Sequence, residues 1–278
     1  MRRSAQMYID GNIELLNEIH KKVKDDAIKS KVVATSSKDF SDMLSIIIYQ
    51  DTEGYKTLME YINKYNLFHT FAEGREYTKE EIKSAKYFTV EIIYPWEKDG
   101  TSADEYGTKY EDTCSCKLCK GSKKQISDLI INKKKMGKYD IATIQPEIIV
   151  NEKLYNLILE NELSGCEFKL VRDYKGREEP VFYQLVVNNI LPNMNDGIRT
   201  EIVEDVYCKK CKRNGVFLRS EVIYNKESMK EACDFNLTSE YFGQNLYCAQ
   251  TVIASKKVFD LFKKNKIKRV FFEPVNVI

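Results

Sequence analysis

Histidine is nearly absent from this chain. Two of its 278 residues are histidines, His20 and His69, and neither lies near a CxxC motif. A catalytic zinc usually draws on histidine or carboxylate ligands and keeps one coordination position open. Glycine is also scarce, with 12 residues, and the sequence contains no glycine-rich phosphate loop, no GxSxG and no HExxH. These absences argue against an enzyme.

Long hydrophobic runs and a charge excess of one sign are missing as well. No window approaches the roughly 20 apolar residues of a membrane span, and the N-terminal MRRSAQMYIDGNIELL lacks the apolar core of a signal peptide. The 44 basic and 42 acidic residues leave a net charge of +2, so nothing draws the whole chain to nucleic acid or anionic membranes. Since 43% of the residues are hydrophobic and 12% aromatic, we expect a folded, cytoplasmic protein with no membrane partner.

The first third of the chain predicts an α+β arrangement. Residues 43–50 have the short, β-branched pattern of a buried strand, and residues 54–66 have helical spacing. Thr78 and Glu81 form the sequence pattern of a capping box, which precedes a strand ended by Pro95. Spacings of three and four also predict an amphipathic helix over residues 8–28. Its apolar stripe consists of Ile9, Ile13, Leu16, Ile19, Val23 and Ala27.

The back two-thirds contain an internal similarity between residues 148–171 and residues 252–275, at a constant offset of 104. Six of the 24 aligned pairs are identical, and each segment reads as strand, short helix, strand. The expected N-caps are Asn151 and Ser255. The expected left-handed C-caps are Asn161 and Asn265. We therefore predict two drifted strand-helix-strand repeats behind the α+β segment.

This pattern predicts an α+β fold whose two repeats are joined by a four-cysteine zinc site. The predicted parts are an N-terminal amphipathic helix with a connector, an α+β segment, a first CxxC repeat and a second CxxC repeat. Their ranges are 1–40, 41–110, 111–200 and 201–278.

Sulfur is concentrated at two places. TCSCKLCKGS contains Cys116 and Cys119, and VYCKKCKRN contains Cys208 and Cys211, with 88 residues between the two motifs. A disulfide framework does not suit a reducing cytoplasm, and a redox dithiol normally needs one CxxC at a helix start after a strand. Four metal-free thiols remain an alternative. Two CxxC turns supply the four sulfurs of a tetrahedral site, so we predict one structural zinc per chain.

The other cysteines have simpler interpretations. Cys114 is an alternative ligand that could replace Cys116 if the turn is built differently, or else a spare thiol. Cys166, Cys233 and Cys248 lie among apolar neighbours and are expected to be small buried residues.

The stretch from Tyr77 to Gly121, with KYDIATIQPEIIVNEKL after it, resembles the double-CxxCG motif family of bacterial proteins. The resemblance covers roughly residues 45–278 and is best over residues 77–171. The residues that carry it are Gly107, Thr108, Tyr110, Asp112, Cys116, Cys119, Asp140, Cys208 and Cys211. The glycine after each second cysteine is missing here, since Lys120 and Lys212 occupy those positions. Such a glycine eases a left-handed turn, so the turn geometry is the feature this departure affects.

The family resemblance implies an immunity protein of a polymorphic toxin system, which binds and neutralises a cognate toxin encoded nearby. An alternative is a nucleic-acid-binding zinc protein, which KKKMGK at 133–138 and the basic C-terminal helix would serve. That helix and its flank carry Lys256, Lys257, Lys263, Lys264, Lys266, Lys268 and Arg269 against Asp260. A third hypothesis is a metalloenzyme that uses Cys114 and carboxylates such as Asp112.

Overall fold

The computed structural model describes residues 1–35, 41–95, 102–111, 116, 118–119, 124–144, 146–244 and 248–278. The chain forms two compact units of mixed α and β structure. The N-terminal unit spans Met1–Lys83, and the C-terminal unit spans Ser84–Ile278.

The N-terminal unit is a four-stranded antiparallel sheet with helices between its strands. Its elements are β1 (Arg2–Gly11), α1 (Ile13–Val23), β2 (Ala27–Val33), β3 (Asp42–Tyr49), α2 (Glu53–Tyr65), β4 (His69–Glu76) and α3 (Lys79–Ser84). The sheet order is β2-β3-β1-β4, so the chain runs β-α-β-β-α-β with β1 and β3 in the centre. This is the split-βαβ connectivity of ferredoxin-like domains.

One face of this sheet packs on α1 and α2. The buried side chains alternate along each central strand, because neighbouring residues of a strand point to opposite faces. They are Ala5, Met7 and Ile9 of β1, Leu44, Ile46 and Ile48 of β3, Leu16, Ile19 and Val23 of α1, and Leu58 and Ile62 of α2. The strand expected at 43–50, the helix expected at 54–66 and the capping box of Thr78 and Glu81 are all present.

The helix predicted over residues 8–28 is wrong at both ends. Ile9 lies in β1 and Ala27 in β2, and the helix runs only from Ile13 to Val23. The side chain of Asn12 accepts a hydrogen bond from the Glu14 amide at 2.8 Å and so starts the helix after the strand. Residues 1–40 therefore contain two strands of the sheet besides the helix and connector that were expected, and residues 36–40 lie outside the described part of the chain.

The C-terminal unit has two four-stranded sheets, with orders β11-β13-β10-β9 and β17-β18-β5-β19. Its strands are β5 (Tyr87–Ile92), β6 (Tyr110–Glu111), β7 (Lys124–Gln125), β8 (Ile130–Ile131), β9 (Ile141–Ile144), β10 (Glu147–Asn151), β11 (Cys166–Leu170), β12 (Arg172–Asp173), β13 (Phe182–Val187), β14 (Thr200–Ile202), β15 (Val216–Leu218), β16 (Ile223–Tyr224), β17 (Phe235–Phe242), β18 (Ala249–Ser255), β19 (Val270–Pro274) and β20 (Asn276–Val277). Its helices are α4 (Lys133–Met136), α5 (Glu152–Glu160) and α6 (Lys256–Lys264), with 3-10 turns at Ala103–Tyr106 and Glu227–Met229.

Two strand-helix-strand segments occupy the positions predicted from the offset of 104. α5 and α6 begin 104 residues apart, and so do β11 and β19. Asn151 and Ser255 cap the helices as expected, each accepting a backbone N–H from three residues further on. Both helices pack into one core with the two sheets, around Val150, Leu154, Ile158, Ala254, Val258 and Phe262.

The C-caps differ from the prediction. Asn161 and Asn265 have φ of −96° and −90°, so neither is left-handed. Each instead donates its side-chain amide to the carbonyl four residues earlier, and the left-handed residue is the next one, Glu162 or Lys266. The asparagine thus ends the helix through its side chain, which satisfies a carbonyl that the helix leaves without a partner.

Candidate metal centre

Each CxxC motif lies between two short antiparallel strands of the C-terminal unit. Cys116 and Cys119 lie between β6 and β7, and Cys208 and Cys211 lie between β14 and β15. Pairing of the flanking strands fixes where each turn begins and ends. The fold, rather than sequence proximity, then brings the two turns together.

The four sulfur atoms form one cluster. The Sγ atoms of Cys116 and Cys208 are 3.6 Å apart, those of Cys119 and Cys211 are 3.7 Å apart, and all four lie within 4.8 Å of one another. A disulfide would need about 2.0 Å between sulfurs. Four sulfurs at about 2.3 Å from a central ion in a tetrahedron are about 3.8 Å apart. The cluster therefore has the dimensions of a metal site with four thiolate ligands.

The surroundings of Cys116 and Cys211 favour the ionised form that binds metal. Cys208 is buried and the other three are half-buried. The backbone N–H groups of Cys119 and Leu118 donate to the sulfur of Cys116 and lower its pKa to about 6. Burial opposes ionisation of Cys211, but backbone N–H groups from Asn214 and Arg213 outweigh it and lower the pKa. Because thiolates are the species that ligate metals, the lowered pKa values of Cys116 and Cys211 favour binding of a metal ion.

Backbone contacts hold the second turn. The amide of Lys212 donates to the carbonyl of Cys208 at 2.8 Å, and the amide of Cys208 donates to the carbonyl of Asn214 at 3.1 Å. Lys212 has φ of +56°, which is the left-handed conformation that the family glycine would supply. Gly215 follows with φ of +81°, and a Cβ there would lie 2.7 Å from the backbone of Tyr207. The turn therefore has the left-handed backbone expected for a glycine, although the residue at this position is Lys212.

Replacing Lys212 by glycine is expected to raise the free energy of unfolding by about 0.5–1 kcal/mol, because glycine adopts φ of +56° without steric cost. Urea unfolding of the purified protein would measure the change. Lys210→Gly is the matched control, since Lys210 lies in the same turn without a positive φ and should lose stability or stay unchanged. If Lys212→Gly lowered the free energy of unfolding as much as Lys210→Gly does, the left-handed conformation of Lys212 would be contradicted.

The other residues that carry the resemblance support the strands around the site. Gly107 has φ of +106° after the first 3-10 turn. The hydroxyl of Thr108 donates to the carbonyl of Ile130 at 3.1 Å and accepts the Ile130 amide at 2.8 Å. Asp140 accepts from the side chain of Asn151 at 3.1 Å, which links it to the start of α5. Asp112, Cys114 and Lys120 lie outside the described residues.

Cys248 is buried as expected, but Cys166 and Cys233 are half-buried, so the prediction of small buried residues is wrong for these two. Burial raises the pKa of Cys166 to about 11, which keeps this thiol protonated. His20 contacts Ser30 and His69 contacts the Leu67 carbonyl, and both histidines lie in the N-terminal unit.

A half-buried polar network next to the first CxxC strands was not predicted. The Tyr110 hydroxyl donates to Glu147 at 3.4 Å, and the Gln184 amide donates to Glu147 at 2.7 Å. Gln184 also exchanges hydrogen bonds with Gln125 of β7. Desolvation raises the pKa of Glu147 to about 7. The sequence does contain one sign of this network. Glu147 is the first residue of a strand that is otherwise rich in β-branched apolar residues.

Replacing Glu147 by glutamine is expected to stabilise the protein by about 3–4 kcal/mol at pH 8 and to have little effect near pH 4. The folded-state pKa of about 7 lies above the unfolded value of roughly 4.3. The folded state therefore holds a proton that the unfolded state releases, and stability falls as pH rises between these two values. Urea midpoints of both proteins between pH 4 and pH 9 would measure this difference. Parallel pH profiles would contradict it.

In the described part of the chain, no helix has the length and apolar character needed to cross a membrane. No protein-family model matches the chain. No curated protein matches it either.

Proposed function

We propose that the four cysteines bind one structural zinc per chain. The observation that carries this proposal is the tetrahedral-sized sulfur cluster built from motifs 88 residues apart. Four thiolates form a closed set that suits zinc and leaves no open coordination position. A zinc tetrathiolate carries two negative charges, which Lys209, Lys210 and Lys212 beside the second motif would offset. When bound, the metal would cross-link the β6–β7 and β14–β15 strands.

We further propose that the C-terminal unit is a duplication in which the two copies exchange a strand. The first copy would run from β5 to β12 and the second from β13 to β20. Three correspondences support this division. In both, the CxxC lies between two short antiparallel strands. In both, a later short strand pairs in parallel with the last strand, β8 with β12 and β16 with β20. In both, the helices and the strands after them differ by the offset of 104.

The exchanged strands would be β5 and β13. β5 precedes the first copy's other strands but lies between β18 and β19 of the second sheet. β13 precedes the second copy's other strands but lies between β10 and β11 of the first sheet. Each copy therefore completes the sheet of the other. This reciprocity supports the placement of the two CxxC turns at equivalent positions, where two half-sites meet.

Following the resemblance to the double-CxxCG family, we propose that the protein acts in the cytoplasm as an immunity protein that binds and neutralises a cognate toxin. Free thiols and a thiolate metal site suit a reducing compartment. A fold with its halves joined by a metal offers a preorganised surface, which reduces the entropic cost of binding a partner. Protection by this route is stoichiometric and involves no turnover of substrate.

The test is co-expression of this chain with a toxin encoded beside it, scoring survival against the ratio of the two proteins. Protection that saturates near one chain per toxin, together with a complex that survives purification, is the expected result. A catalytically inactive toxin serves as the control, because it should form the same complex without killing. Protection far below one-to-one would indicate catalysis, and no protection from any neighbouring toxin would remove the immunity proposal.

Nucleic-acid binding is the second candidate, and the exposed basic side chains around α6 favour it. Lys256 is paired with Asp260, and Lys263 lies beside the ring of Phe259. The remaining exposed lysines are Lys257, Lys264, Lys266 and Lys268. Duplex or RNA binding that weakens steeply with salt and with charge removal at these lysines would support this candidate.

A further inference from the structure

A cavity of about 790 Å³ opens in the C-terminal unit, apart from the cysteine cluster. Such a volume falls within the range of small-molecule sites, roughly 300–1,000 Å³. Its lining combines aromatic and aliphatic side chains with polar ones. The aromatic residues are Tyr94, Tyr139 and Phe242, and the polar residues include Thr143, Gln250 and Thr251. This composition suits a flat ligand that has an aromatic body and polar groups.

Arg269 supplies a positive charge to the lining of this cavity. Its side chain is exposed, and its guanidinium carbon lies 4.8 Å from the centre of the Tyr139 ring. Among the described residues Arg269 has no carboxylate partner within ion-pair distance. Glu91 is the acidic residue in the described lining, and it also makes no ion pair with Arg269. Within the described part of the chain, the guanidinium therefore contacts an aromatic ring, and no carboxylate takes its donors.

The backbone at Arg269 is strained. Its φ is +63°, a left-handed conformation that is sterically unfavourable for a residue with a Cβ. The residue 104 positions earlier is Gly165, with φ of +84°, where a Cβ would also lie 2.1 Å from the Phe235 carbonyl oxygen. Both positions are therefore left-handed, and Arg269 keeps a side chain where the first segment has none. Residues with a strained backbone concentrate at functional sites, where the side chain has a task that offsets the strain. The arginine at position 269 therefore points to a binding role for its side chain.

We propose that this cavity binds a small molecule that carries a carboxylate or phosphate on an aromatic body. The aromatic and aliphatic lining holds the ring, and Arg269 donates to the anion in the bidentate manner of arginine. The Tyr139 ring positions the guanidinium from one side. This proposal is independent of the toxin-binding proposal, because the cavity would bind a small molecule without any partner protein.

The experiment uses the full, zinc-loaded chain and two naphthalene probes, 2-naphthoate and the uncharged 2-naphthamide. Binding is measured by ligand-observed NMR and calorimetry for the wild type, Arg269→Gly, Arg269→Lys and Lys264→Gln. Arg269→Gly is informative because glycine suits φ of +63°, so its thermal midpoint should equal or exceed that of the wild type. Lys264→Gln removes an exposed charge that is not part of the cavity lining.

The wild type is expected to bind 2-naphthoate more tightly than 2-naphthamide. Arg269→Gly should weaken 2-naphthoate about tenfold or more and weaken 2-naphthamide much less, since the amide carbonyl loses a hydrogen bond from the guanidinium whereas the carboxylate loses an ion pair as well. Arg269→Lys should retain part of the preference, and Lys264→Gln should retain all of it. Equal 2-naphthoate affinities in the wild type and Arg269→Gly, or no binding at about 1 mM, would overturn the proposal. A lower thermal midpoint for Arg269→Gly would also overturn it, by assigning the arginine a structural role.

Discussion

Replacing Cys208 by serine is expected to lower the free energy of unfolding by about 3–5 kcal/mol and to reduce the zinc content of the purified chain. Structural zinc contributes roughly 10–16 kcal/mol of apparent binding energy in small zinc domains, and losing one of four ligands removes part of it. Cys208 is also buried, with 3% of its surface exposed, so a serine hydroxyl there would replace a thiolate in a desolvated place. Urea unfolding and elemental analysis would measure the two effects.

Cys248→Ser provides the matched control for this experiment. Cys248 has 4% of its surface exposed, so the two substitutions bury a serine to the same degree and differ in proximity to the cluster. The control should keep its zinc and lose about 1 kcal/mol. A chelator should lower the stability of the wild type and of Cys248→Ser but have little effect on Cys208→Ser. Equal losses at both cysteines would contradict a special role for the CxxC pairs.

Replacing Gly165 by alanine is the second change with a large expected effect, about 3 kcal/mol or more of lost stability. Gly165 has φ of +84°, and a Cβ there would lie 2.1 Å from the carbonyl oxygen of Phe235 and 2.5 Å from the Cβ of Cys233. Ser164 and Asp234 exchange hydrogen bonds at the same place. The added methyl would therefore push β11 away from the start of β17. Thermal and urea unfolding would measure the loss.

Gly176→Ala is the control that separates the steric clash at Gly165 from the cost of a positive φ. Gly176 has φ of +70°, and no atom of the described residues lies within 4 Å of the place that a Cβ would take, so alanine there meets the unfavourable φ alone. Its expected cost is about 1 kcal/mol. A cost at Gly165 no larger than that at Gly176 would contradict the close approach of the two strands.

Local patterns predicted the local structure well. The strand at 43–50, the helix at 54–66, the capping box at Thr78 and the two N-caps are each set by side chains within a few residues of one another. The helix over 8–28 failed because its central turns have helical spacing, while the alternation of Ala5, Met7 and Ile9 at period two indicates a strand.

Long-range pairing could not be predicted in the same way. β5 pairs with β18 and β19, more than 150 residues further along the chain, and nothing in the apolar pattern of β5 specifies those partners. The cysteines were different, because CxxC spacing points to a metal site whatever fold brings the turns together. The strained φ of Arg269 was also hidden, since arginine gives no sign of a left-handed backbone.

The central claim is that Cys116, Cys119, Cys208 and Cys211 bind one zinc ion. X-ray absorption at the zinc edge, on protein purified without chelator and with its metal content determined, tests this most directly. We expect one zinc per chain with four sulfur neighbours at about 2.3 Å, and fewer sulfur neighbours in Cys208→Ser. A first shell containing nitrogen or oxygen in the wild type, or a chain that carries no zinc, would contradict the claim.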